Sequence, residues 1–241
     1  MVASEHTLLL WNNSQVLVNA GLVAVIVFFV MSGYVLTRAW DDRPIIFAAR
    51  RLVRLWPVYA TCIVLGYALR GQLPYWPDLT WLATDHIRQS GAVLAPAWSV
   101  CVEAWMIPLI PGLVWCVRGG LSRLAVGLGV WGLLWYIAPF PFTWGGWFIL
   151  GAASASCEPR SIMLEHKIPQ YLGTISFSLY MIHPLVIELI VACLGHSAAL
   201  LGLPASIGAA ALLYRYVEEP SIRWSRAIRS RRPARVATMP G

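Results

Sequence analysis

The chain has 241 residues, of which 59% are hydrophobic and 12% charged, with a net charge of +7. A soluble domain carries about 25% charged residues, so this composition excludes an ordinary water-soluble globular protein. The positive charge does not indicate nucleic acid: no nucleic-acid-binding motif accompanies it, and its arginines flank apolar runs, where they set topology and meet anionic lipid. In chain order those runs cover 17–37, 56–70, 98–117, 124–138, 142–157, 171–195 and 198–217. The expected fold is all-α, a polytopic transmembrane helix bundle of about seven spans. Runs 124–138 and 142–157 also admit a re-entrant pair. Residues 1–224 read as one transmembrane domain, and 225–241 as a basic, disordered tail.

Fifteen of the 18 Lys and Arg residues fall in alternate segments between the runs. These are 37–55, 118–123, 158–170 and 218–241; the intervening segments hold only Arg88. The positive-inside rule makes the basic side, and with it the C-terminus, cytoplasmic. An odd number of spans then leaves the N-terminus outside, with no signal-peptide pattern to take it there. The expectation is that the chain starts inside its own first helix. Thirteen Trp, among them Trp40, Trp56, Trp81, Trp98 and Trp144 near run ends, suit an interfacial belt. Cys62, Cys101, Cys116, Cys157 and Cys193 have no metal-ligand spacing and read as small buried hydrophobes. No metal is expected.

Ionisable groups inside apolar runs are expensive and point to function. Three stretches hold the candidates. In RRLVRLWPVY (50–59), Arg50, Arg51 and Arg54 precede Pro57, which suits the first turn of a helix. Arg50 and Arg54 share a face, and guanidinium groups bind phosphate in bidentate fashion. The cluster reads either as a site for a phosphorylated ligand or as a topology anchor. In WSVCVE (98–103), Glu103 sits just inside a run entered from the arginine-poor side, as an acid, a base or a structural partner of an arginine. In ISFSLYMIHP (175–184), Ser176, Tyr180 and His183 form one helical stripe. Pro184 frees a backbone carbonyl beside His183. His183 and Glu188, with Glu103, also fit a proton relay, which is the rival reading of a transporter or flippase.

Five stretches, in order, resemble the acyltransferase 3 family of bacterial integral-membrane O-acyltransferases. They are FFVMSGYVL (28–36), RRLVRLWPVY, WSVCVE, ISFSLYMIHP and YRYVEEPSIRW (214–224). The resemblance implies acyl transfer, most readily acetyl, from acyl-CoA to a hydroxyl of a sugar, glycolipid or exported polysaccharide at the bacterial cytoplasmic membrane. It implies that His6 is the catalytic base, with Glu103 beside it in the chemistry, and that Arg50, Arg51 and Arg54 hold the donor phosphates. Ser32, Trp98, Ser176, Tyr180 and His183 would line the substrate cavity. The partners implied are membrane lipids and the sugar acceptor. Two departures, the missing basic residues before His6 and a short stretch between Glu103 and His183, leave an inactive truncated member as a further alternative.

Overall fold

The computed structural model describes residues 15–80, 93–94, 96–137, 142–156 and 166–228. Among these there is no strand. Helix α1 spans Gln15–Arg38 and α2 Pro44–Leu69. A 3-10 turn follows at Trp76–Leu79. Next come α3 (Ala97–Met106), a 3-10 turn (Ile107–Leu109) and α4 (Ile110–Arg118), which together form one span. Helices α5 (Gly120–Ile137) and α6 (Gly145–Ala153) complete the first half of the bundle. The short α7 (Lys167–Thr174) leads into α8 (Ser176–Leu194). The last span holds α9 (Gly202–Leu213), a π-helical turn (Tyr214–Glu218) and α10 (Glu219–Ala227).

Five of these segments are long and apolar enough to cross a membrane: 44–69, 97–118, 120–137, 176–194 and 196–227. Their outward faces carry large apolar side chains, among them Val64, Val126, Leu133, Leu189 and Leu212, and the shorter apolar α1 does the same with Met31. A lipid solvent rewards this pattern, because it satisfies the backbone within each helix and leaves apolar side chains outside. Two expected runs differ. Run 142–157 holds only the nine-residue α6 between 3-10 turns. Run 171–195 is divided by Ile175 into α7 and α8.

Helix α2 departs most from expectation. It starts at Pro44, so Pro57 lies in its interior and the three arginines are helical residues, not a loop before the span. Pro44, with no N–H to lose, fills the first-turn position foreseen for Pro57. Neighbouring helices tolerate the interior proline. The turn into α2 places Asp42 in the left-handed region at φ 59°, a conformation that a short polar side chain accommodates. Its carboxylate accepts Trp40 Nε1–H at 2.7 Å and Arg118 Nη1–H at 3.3 Å, tying the basic ends of α1, α2 and α4.

Helices α1 and α6 touch backbone to backbone. A side chain at Gly33 would strike the Phe148 carbonyl, and one at Gly151 the Val30 carbonyl. Small residues allow such close approach where lipid offers no hydrophobic drive between helices. Two buried clusters result. One joins α2, α3, α8 and α9 through Tyr59, Ile63, Val100, Met181 and Leu185. The other joins α1, α4 and α6 with the start of α2 through Phe29, Leu36, Leu55, Ile110 and Phe148. Trp98 and Phe177 pack against both, and the polar residues described next lie along this seam.

Candidate functional site

Arg51 Nη2 donates to Glu103 Oε1 at 2.9 Å, and the Glu103 side chain is only 2% exposed. The pair therefore sits at one depth. This corrects the expectation that Glu103 lies toward the arginine-poor side, away from the arginines. After α2 the chain first folds back along that helix. Trp56 Nε1 donates to the Leu79 carbonyl at 3.0 Å, and Tyr59 Oη to the Asp78 carbonyl at 2.7 Å. Tyr67 Oη donates to the Asp78 carboxylate at 2.6 Å. Leu79 thus reaches the middle of α2. By Val93 the chain lies at the far end of α2, where the Val93 carbonyl accepts from Arg70 Nη1 at 3.0 Å, and α3 then runs antiparallel to α2, with Cys101 Sγ 3.4 Å from Tyr59 Oη. Glu103, six residues into α3, then lands beside Arg51 near the basic end of α2.

A second buried carboxylate faces the same region. Glu218 lies on the π-helical turn, 1% exposed, and accepts a 2.6 Å hydrogen bond from Ser178 Oγ. The charges of Arg51, Glu218, Glu103 and Arg226 all act on Arg54. Ser221 Oγ reaches the carbonyls of Arg54 at 3.1 Å and of Glu218 at 2.7 Å, stitching α10 to α2. Pro220 explains the π turn: without an N–H, and with its ring against the carbonyl four residues back, it prevents a regular α-helix there. Arg51 and Arg54 thus face Glu103 and Glu218, opposite charges that offset one another in apolar surroundings. One donor is left over. Arg51 Nε is buried and has no hydrogen-bond partner, and such a group normally has one.

Arg50 turns elsewhere. Its Nε donates to the Ile228 carbonyl at 2.7 Å and its Nη1 to Asp41 at 2.9 Å. It braces the end of α10 against the α1–α2 turn and stands apart from Arg51 in its contacts.

On α8, Tyr180 and Ser99 share a hydrogen bond of 2.7 Å, with Ser99 Oγ also donating to the Pro96 carbonyl at 2.9 Å. Phe28 stacks on Tyr180 at 5.7 Å. His183 is fully buried, and its Nδ1 lies 2.8 Å from the Tyr180 carbonyl. That carbonyl is the one Pro184 orphans, so the imidazole replaces the missing helical N–H. Ser176 does not share this stripe: it is exposed, and its hydroxyl donates to the Gly173 carbonyl at 2.8 Å. The inward-facing serine of this stretch is Ser178. Trp98 and Trp144 are 5.2 Å apart, and both lie against Phe29, with Ser32 buried one turn along α1. These two tryptophans thus form an internal aromatic cluster, not a belt. Of the cysteines, Cys62 and Cys101 are buried, while Cys193 is exposed.

Glu188 pairs with Arg70 Nη2 at 2.9 Å, at the end of the bundle remote from the basic cluster. Arg215 is exposed and 3.6 Å from Glu219. His6, Trp81 and Cys157 lie outside the described residues. Among the described residues no group of three or more His, Cys, Asp or Glu is placed to hold a metal.

Glu218, Ser178 and Ser99 are the polar residues that sequence reasoning passed over. Each lies within a stretch that was singled out, but nothing in a linear pattern says which of Glu218 and Glu219 turns inward.

Fold and site together define, over the described residues, an all-helical protein with five helices long and apolar enough to cross a membrane and a largely buried polar centre of opposite charges. No family model, curated protein or solved structure matches the chain.

Proposed function

We propose that this protein is a membrane O-acyltransferase that moves an acyl group, acetyl in the simplest case, from acyl-CoA to a hydroxyl of a sugar, glycolipid or exported polysaccharide. On this reading it sits in a bacterial cytoplasmic membrane with about seven spans and its C-terminus on the donor side. One observation carries the proposal. Four stretches chosen for their resemblance to such enzymes, far apart in sequence, meet at one polar centre: Arg51 and Arg54, Glu103, Ser178, and Glu218 with Ser221. The fifth stretch contributes Phe28 and Phe29 against Tyr180 and Trp98.

Arg51 and Arg54 hold the donor phosphates, with the unpartnered Arg51 Nε supplying a donor that needs no existing bond to break. Arg50 has the bracing role that its two intramolecular bonds support. Glu103 orients Arg51. His6 takes the proton of the acceptor hydroxyl as that oxygen attacks the thioester carbonyl, and the thiol of CoA leaves. Trp98, Tyr180 and Ser32 line the path between, with His183 holding α8 in shape. The transporter reading has less support, because Glu103, His183 and Glu188 are each held by a different partner.

The test feeds radiolabelled acetyl-CoA to membranes containing the protein and follows label into the glycolipid and polysaccharide fractions. His6→Ala and Arg51→Ala are expected to abolish the transfer. Unchanged labelling in His6→Ala would remove that residue from the mechanism. Label released only as free acetate would replace transfer with hydrolysis.

A further inference from the structure

We propose that a groove between α4, α5 and α6 binds one hydrocarbon chain of an anionic phospholipid, with the lipid phosphate against Arg123. The inference stands apart from the enzymatic reading and rests on the shape, lining and charged end of the groove. Its volume is about 690 Å³, within the roughly 300–1,000 Å³ usual for ligand sites. The wall is apolar, formed by Met106, Leu113, Val126, Trp131 and Ile149. A glycine on each of the three helices, Gly112, Gly127 and Gly145, recesses it. An added Cβ at Gly112 would meet no atom within 4 Å, so the space beside it is open.

Length and charge select the occupant. From Met106 to Arg118 the helical rise amounts to about 18 Å, close to the ~15 Å depth of one leaflet's hydrocarbon. At the basic end, Trp115 lines the groove and the Arg123 guanidinium lies over its ring, 4.8 Å from the centroid. Arg123 gets there by crossing Gly119, where any side chain would collide with it. Among the described residues Arg123 has no carboxylate partner. Arg118, further along α4, is mostly exposed and pairs with Asp42 at 3.3 Å. A chain in the groove therefore ends beside the Arg123 guanidinium, a cation suited to its phosphate. A zwitterionic lipid would bring its own cation to the same place.

The experiment uses the full chain reconstituted in phosphatidylcholine vesicles with or without phosphatidylglycerol. It is then extracted in mild detergent and washed, and the retained lipid is measured by mass spectrometry. The wild type is expected to keep phosphatidylglycerol in preference to phosphatidylcholine. Gly112→Phe, which fills the groove, should reduce that retention at least about tenfold. Arg123→Gln should remove the preference between the two lipids. Gly129→Phe, on α5 but outside the groove with open space around it, should behave as wild type. Thermal unfolding of each variant separates loss of lipid from loss of fold, and Arg123→Gln keeps the test alive should Gly112→Phe misfold. Equal retention by Gly112→Phe, or no wild-type preference for phosphatidylglycerol, would overturn the proposal. So would a dimer that buries this face.

Discussion

Arg51 Nη2 and Glu103 Oε1 are 2.9 Å apart and 52 residues apart in the chain, with Glu103 buried and the Arg51 side chain 14% exposed. The bond closes α2 onto α3 at the seam between the two apolar clusters. It makes a single polar centre out of an arginine cluster and a carboxylate that the chain's charge layout assigns to opposite sides.

Removing one partner of a buried ion pair strands the other, at a cost of about 3–5 kcal/mol. Arg51→Ala and Glu103→Ala should each lower stability by that order, and the double substitution should lose less than their sum. A double-mutant cycle by chemical unfolding in mixed micelles reads the coupling. Additivity within about 0.5 kcal/mol would mean that the two side chains do not interact.

Glu218 and Glu219 offer an adjacent-residue control. Glu218 is buried on Ser178, whereas Glu219 makes a loose pair with exposed Arg215. Glu218→Ala should destabilise by about 1–3 kcal/mol or more, because it orphans a buried hydroxyl and the Arg54 charge. Glu219→Ala should stay within about 0.5 kcal/mol of wild type. Thermal unfolding of the two variants side by side decides between them, and equal losses would remove the π turn from the account of the site.

His183 and Pro184 should compensate for one another. His183→Ala leaves the Tyr180 carbonyl unpaired at a cost of about 1–3 kcal/mol. Adding Pro184→Ala restores the helical N–H to that carbonyl, and the double variant should recover most of the lost stability. Acyl transfer measured on the same proteins separates the roles: recovery of fold without activity would put His183 in the chemistry itself.

Gly33 and Gly151 should tolerate no side chain. Gly33→Leu or Gly151→Leu forces α1 and α6 apart, with an overpacking cost of at least about 1–3 kcal/mol. Gly208→Leu, on a face with no atom within 4 Å, should be neutral. Unfolding midpoints and the yield of monodisperse protein measure the difference.

Much of the site was legible in the sequence, though not its pairings. Glu103 and His183 were identifiable because ionisable groups in apolar runs need a reason to be there, and Arg51 because it belongs to a cluster of three arginines just before a run. The freed carbonyl beside His183 followed from Pro184 alone, because a missing N–H is a local fact. Arg50 could not be told from Arg51, since adjacent residues on a helix diverge by about 100° and only the packing of α2 says which face is inside. Ser176 and Ser178 were confused for a related reason: the polar stripe identified one face of α8, but that helix is enclosed on more than one side.

Composition by itself determined the solvent this chain expects, its all-helical character and the approximate position of its spans, because those depend on hydrophobicity summed over many residues. The alternation of arginine-rich and arginine-poor segments added an ordering of the ends. The tertiary structure decided the depth of Glu103, the inward turn of Glu218 and the bracing use of Arg50. Each depends on how the chain returns after leaving a helix. The antiparallel course of α3 along α2 and the π turn before Pro220 each set a side chain to within a fraction of a helix, and in a bundle that fraction separates a lipid-facing charge from a buried ion pair.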